Sequence, residues 1–454
     1  MKLTLALLFM LVSAALAQTK PNIIFIFADD WGWGDLSCRN HPYIKTPNID
    51  RLAKEGTDFQ RFTVASGVCS PSRVAVMTGQ FPSRHSIAGH FATPDSNQSR
   101  NMPDWLSLDA PFLAKILQSA GYRTAHYGKW HISNNLVPDS PTPGEYGYDD
   151  YGSFNCSGVQ MPWYNDAIRT SAFIEESVKM EKPFFVNVWM HEPHTPFHTI
   201  PEYEWKFRNL ERNHQIYASV LSHADDRVGV ILDTLDRLKI ADNTLVIFSS
   251  DNGPAGNGTT KGEAKLMFDS ATGAGWNTAA AVGTTGGRSG RKRSLKEGGV
   301  SVPFLARWPK KITAGGVDKE SLITAVDLLP TFCALAEAPL PKGYTSDGIN
   351  ITEVLAGKKM PSRDKPIFWE GIGKTKENWS TVQGQWKLLA SPDLSKIQLY
   401  NIATDVAEAN NLANKNPEVA AKLLQSIKGW KNTLPKKPTG NVFSKFRKEN
   451  TQAK

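Results

Sequence analysis

The sequence predicts an α/β fold: a large, mostly parallel sheet sandwiched by helices, followed by a smaller C-terminal antiparallel sheet plus helix. Three observations carry this prediction. Four apolar runs of strand length show no polar alternation, helix-period stretches lie between them, and short strands at hairpin spacing begin after Pro361. Uninterrupted apolar runs imply strands covered on both faces, as in a parallel sheet between helix layers. The chain has 454 residues, 40% hydrophobic and 21% charged. That is too apolar for a disordered chain and too long for one hydrophobic core.

The first stretch stands apart from the fold. Lys2 precedes an apolar run from Leu3 to Leu16 that ends in Ala15-Leu16-Ala17. Such charge, length and small residues mark a cleavable secretory signal over 1–17, shorter than the roughly 20 residues of a spanning helix. A secreted or periplasmic chain with no membrane span is expected. Loss of Lys2 changes the formal +8 to 8 − 1 = +7, a modest excess that suits an anionic partner.

Taken in order, the elements share one feature. Asn22 to Phe27 ends in Ala28-Asp29-Asp30, and Tyr122 to Tyr127 runs into Gly128-Lys129-Trp130-His131. Phe184 to Trp189 runs into Met190-His191-Glu192-Pro193-His194, and Thr244 to Phe248 into Ser249-Ser250-Asp251-Asn252-Gly253. Pro111 to Ala120, Asp166 to Lys179 and His214 to Leu238 are helix-spaced. Open α/β sheets bind ligands outside the carboxyl ends of their strands, and here those ends carry Asp, Asn, Lys and His. Asp29-Asp30 alone reads equally as a turn or a cap, and Asp251-Asn252-Gly253 as a turn. Together they offer oxygen ligands to one edge, which suits a hard cation, Ca²⁺ with Mg²⁺ as the alternative, better than zinc.

Cys69-Ser70-Pro71-Ser72-Arg73 precedes Val74 to Gly79, a short helix with Ser70 as N-cap, Pro71 in its first turn and Gly79 as its stop. Cys69 then sits at a helix N-terminus, where negative charge is favoured; the alternatives are a reactive thiolate and a buried structural cysteine. With Asp29 to Asp35 (Asp-Asp-x-Gly-x-Gly-Asp) and Cys-x-Pro-x-Arg followed by Thr78-Gly79, the chain resembles the type I, formylglycine-dependent sulfatases of the alkaline-phosphatase-like superfamily. The resemblance continues through Gly128 to His131, Pro193 to Pro196, Ser250 to Gly253 and Glu297-Gly298-Gly299-Val300. It covers roughly Pro21 to Leu355.

The resemblance implies that a formylglycine-generating maturation enzyme oxidises Cys69 to Cα-formylglycine. The hydrated aldehyde then attacks the sulfur of a sulfate ester. Asp29, Asp30, Asp251 and Asn252 match the calcium ligands, with residue 69 completing the shell. Arg73 matches the residue that holds the nucleophile, His131 the base, and His194 the contact to the leaving oxygen. Lys129 and Lys292 match sulfate-binding lysines, and His191 is a neighbour that shares or orients the site. The basic run Arg288, Arg291, Lys292, Arg293, Lys296 reads by itself as a solvated loop, and its lack of base-stacking aromatic residues argues against a nucleic-acid patch; the resemblance places Lys292 in the pocket and most of the others at its rim. The segment Gly147 to Gly152 is a residue shorter than the common form and leaves Asn155, Cys156 and Ser157 as candidates for the pocket residue that follows it.

Four segments are expected: a signal over 1–17, a catalytic domain over 18–360, a small α+β domain over 361–435 and a flexible basic tail over 436–454. In the small domain Pro366 to Trp369, Thr381-Val382, Gln385 to Leu389 and Ile397 to Tyr400 are strands, and Pro417 to Thr433 a helix. The predicted activity is release of inorganic sulfate from a sulfated carbohydrate. The alternatives are hydrolysis of a phosphonate or phosphate diester, a cysteine-thiol enzyme, and a noncatalytic binder of sulfated glycans. Trp105, Trp163 and Tyr164 are sugar-stacking candidates or core residues.

Overall fold

The computed structural model describes residues 20–256, 282–372 and 376–448, together with the backbone of 264–269 and 273–278; the expected signal lies outside them. The central sheet has eight strands: β1 (Asn22–Ala28), β2 (Thr57–Phe59), β3 (Arg123–Lys129), β4 (Asp150–Phe154), β5 (Phe184–Trp189), β6 (Thr244–Ser250), β7 (Phe304–Arg307) and β8 (Gly316–Asp318). Their spatial order is β8-β2-β7-β6-β1-β5-β3-β4. β7 alone runs against its neighbours; every other pairing is parallel. Side chains alternate across the sheet. Ile23, Phe25 and Phe27 of β1 therefore enter one core and Ile24, Ile26 and Ala28 the other. Both cores are apolar, so the β1 sequence shows no polar alternation.

Helices close both faces. On one side lie α1 (Pro47–Lys54), α4 (Asp166–Lys179) and α5 (Arg212–Arg237). On the other lie α2 (Cys69–Thr78), α3 (Leu113–Ser119) and α6 (Leu328–Leu335). All ten residues of α2 are buried. Gly79 ends α2 at φ +63°, and a Cβ there would lie 2.4 Å from the Tyr344 hydroxyl, so only glycine fits the stop.

The C-terminal sheet is β9 (Ile367–Glu370), β10 (Trp379–Gln383), β11 (Trp386–Ala390) and β12 (Ile397–Asn401), antiparallel in that order, with α7 (Pro417–Thr433) across it. Its Trp369, Leu388, Leu399 and Trp430 belong to the same apolar cluster as Phe25 and Phe185 of the large sheet. The two sheets thus share a core. The expected flexible tail is corrected as far as Lys448. Val442 packs with Trp105 and Val137, and Arg447 reaches the buried Asp104 carboxylate at 2.5 Å. A lysine-rich composition concealed that one apolar and one ionic anchor. Among the described residues no helix is long and apolar enough to cross a membrane.

Candidate active site

Strand register brings the acidic residues together. Ala28 pairs with Ser250, so Asp29 and Asp251 leave neighbouring strands at the same level. Asp29 N–H donates to Glu192 O at 3.1 Å, which ties the β1 exit to the loop after β5. Asp30 sits at φ +68°, and its N–H donates to Asp251 Oδ1 at 3.2 Å. The three aspartates are buried, and each presents a carboxylate oxygen within 4.8 Å of the others. Asp29 also presents an oxygen within 4.8 Å of nitrogens of His191 and His194.

Every expected cation in the site meets this cluster. The Arg73 guanidinium, fully buried on α2, donates to Asp251 Oδ2 at 2.7 and 3.1 Å and to Lys129 O at 3.0 Å. Lys129 Nζ bonds Asp29 Oδ2, and Lys292 Nζ lies 2.7 Å from Asp30 Oδ1. Lys292 arrives because its loop packs on the Asp251 turn without side chains between them. A Cβ on Gly253 would lie 1.9 Å from Gly298 O, and Gly253 N–H donates to Gly299 O at 2.9 Å. Burial pushes the Asp29 carboxyl up, but His194, Lys129 and Arg73 outweigh it and hold the group well below the usual range. Burial and the Asp29 charge push Asp251 up instead.

Among the described residues of the site, two buried acceptors have no hydrogen-bond partner, Asp29 Oδ1 and Asn252 Oδ1. Asn252 Nδ2 donates to Asp30 Oδ1 at 2.6 Å, which leaves its carbonyl oxygen free. A hard-oxygen donor set of three carboxylates and one amide fits a calcium-type cation. The three carboxylates and the three cations, Arg73, Lys129 and Lys292, balance to zero. A divalent ion would make the site +2 and attractive to an anion.

Cys69 is 4% exposed and begins α2 rather than preceding it; Val68 is the N-cap. Ser70 was expected to cap the helix, yet its hydroxyl instead accepts from Phe91 N–H at 3.0 Å, because a second loop packs there. His131, at φ +51°, bonds Phe91 O through Nε2 at 3.0 Å, and its Nδ1 is buried without a partner. Burial, with Lys129, pushes it well below 6.5. His194 Nδ1 bonds Thr195 O at 2.5 Å and its Nε2 lies 3.9 Å from Asp30 Oδ2. Burial, with Lys292 and Lys129, lowers it despite Asp29. His191 bonds Pro196 O at 2.9 Å, its ring 5.7 Å from that of His194.

Other candidates fall elsewhere. Cys156 packs in the core and Ser157 bonds Ser140 at 3.0 Å; Asn155 takes φ +65° at the end of β4. Trp105 is core, Trp163 is buried against His198, and Tyr164 is exposed. Of the basic run, Lys292 alone pairs with the aspartates, while Arg288 stacks on Trp33 at 3.5 Å. Sequence reasoning missed His90, whose ring lies 6.3 Å from that of His131. It also missed the buried Arg227, which bridges Glu192 and Asp166 beneath the His191 loop. Neither lies in a motif, and only packing assembles them.

The sequence model of the sulfatase family matches residues 21–338, and that of the C-terminal part of N-sulphoglucosamine sulphohydrolase matches 290–433. The chain is 27% identical to N-acetylgalactosamine-6-O-sulfatase of Bacteroides thetaiotaomicron, over 90% of this chain and 93% of that one. It is 30% identical to human arylsulfatase A, over 93% and 90%. The crystal structure of Ps i-CgsB in complex with k-i-k-neocarrahexaose superposes with a TM-score of 0.78 at 27% identity, over 94% of this chain and 96% of that one.

Proposed function

The chain belongs to the sulfatase family and is a sulfatase, and from that premise we propose that it releases sulfate from a sulfated carbohydrate, using a nucleophile made from Cys69 and a bound calcium ion. The observation that carries this reading is the convergence of Asp29, Asp30, Asp251 and Asn252, two with unused buried oxygens, on the cations of Arg73, Lys129 and Lys292. Relatives named for N-acetylgalactosamine 6-sulfate and a neighbour bound to neocarrahexaose support the carbohydrate class. Residues 18–360 carry the chemistry in this reading, and 361–435 fasten it.

When present, formylglycine supplies a hydrated aldehyde nucleophile and the cation polarises a sulfate oxygen. Lys129 and Lys292 orient the sulfate, while Arg73 pairs with Asp251 and opposes the upward push of burial on that carboxyl. His131 donates from Nε2 to Phe91 O, so Nδ1 is the atom left to accept a proton at the nucleophile. Burial holds His194 below the ordinary 6.5 in the free enzyme. An arriving sulfate ester favours its protonated form, which then serves the leaving alcohol from Nε2.

The test pairs two measurements on active protein: the mass of the peptide spanning Cys69, and sulfate release from sulfated sugars against hydrolysis of an aryl phosphate diester. Conversion at Cys69 and a preference for the sulfate ester are expected. Unmodified thiol alone, or a strong preference for the phosphorus ester, would overturn the reading.

A further inference from the structure

Two segments are fastened on either side of Cys69. On one, Phe91 N–H bonds Ser70 Oγ and sets His90 beside His131. On the other, Arg293 N–H donates to Gly67 O at 2.7 Å, and Arg293 is exposed with φ +77°. That left-handed conformation costs a bulky residue about 1 kcal/mol or more, and the Gly67 bond holds it. The half-buried Arg100 guanidinium joins the His90 side. Among the described residues it bonds only Ser96 O and Asn97 Oδ1, at 2.9 and 3.0 Å, and its Nη1 lies 3.0 Å from where a Gly89 Cβ would stand.

Among the described residues no carboxylate pairs with Arg100 or Arg293. Burial pushes His90 down to about 4, and the neighbours that reinforce this are His131, Arg100, Arg293 and Lys292, with no acid to oppose them. A solvated basic rim would leave its side chains exposed and its backbone relaxed. Here one cation is half-buried, another is held in a strained conformation, and both lie near a histidine whose ring is 6.3 Å from that of His131.

We propose that His90, Arg100 and Arg293 form a second anion subsite beside the sulfate pocket, taking a further sulfate or carboxylate of the same glycan. This rests on the carbohydrate-sulfatase reading. The probes are a monosulfated sugar, the same sugar with a second sulfate, and the same sugar joined to a uronate. The variants are R293G, since glycine suits φ +77°, and R100Q. One lost charge-assisted contact corresponds to about a tenfold rise in KM. That rise is expected for one or both doubly anionic probes, with kcat little changed and the KM shift for the monosulfated probe at least fivefold smaller; whichever probe responds identifies the anion. Equal KM shifts for all three probes, or none in either variant, would overturn the subsite while leaving sulfate release by the parent intact. No sulfate release by the parent from any probe would overturn the underlying reading as well.

Discussion

The molecule holds two groups of buried charge, and they differ in what their oxygens do. In one, Lys387 of the C-terminal sheet is fully buried, 2.8 Å from Glu297 Oε1 and 3.2 Å from Glu408 Oε1. The other Glu408 oxygen accepts from Glu297 N–H and the Ser289 hydroxyl, each at 2.8 Å. Burial opposes the Lys387 charge, yet the two glutamates hold its ammonium above the ordinary range. Glu408 Oε1 makes no hydrogen bond but is held by the Lys387 ammonium, so this group is closed by ion pairing. In the other, around Asp29, Asp30 and Asp251, two buried oxygens are left over. A closed group fastens one sheet to the other's loops, whereas an open one is shaped for something that arrives later.

The difference is sharpest at Asp251. Asp251→Asn removes one carboxylate charge of the proposed cation site and the anionic partner of Arg73, and should lower kcat/KM by at least about 10²-fold, with bound calcium falling well below one per chain by elemental analysis. Lys387→Met breaks the closed group and strands two buried carboxylates, at a cost of about 3–5 kcal/mol. The thermal midpoint should fall while bound calcium, measured well below that midpoint, stays near one per chain. Loss of calcium in that variant would erase the distinction between the groups. The smallest effect belongs to a third pair, Arg84–Asp347, with His85 beside it. Burial pushes His85 down to about 4. Its folded value lies below the ordinary 6.5, so the stability it contributes is present above about 6.5 and is lost as pH falls through about 4. The melting advantage of the parent over His85→Asn should shrink across that window.

Much of this was legible in the sequence because the central strands β1, β5 and β6 are buried on both faces and end in the residues that meet. Their runs mark both the element and its ligand-bearing end. The helix over Asp166–Lys179 falls where its spacing places it, and α7 likewise. The edges were harder. β2 and β8 are three residues each and β7 is reversed, and such short strands carry no period of their own. Lys387 looked like any strand lysine because its partner Glu297 lies 90 residues away. His90 and Arg100 acquire meaning only once Phe91 docks on Ser70.

The buried helix α2 also sets an order of events in time. Part of its covering comes from Leu328–Leu335 and the Ala325–Asp327 turn before it, so α2 cannot be fully enclosed until the ribosome has passed residue 335. Those 335 − 69 = 266 residues take on the order of 10 to 50 s at ordinary elongation rates. For that interval the nascent chain leaves α2 incompletely covered, and folding then closes over it.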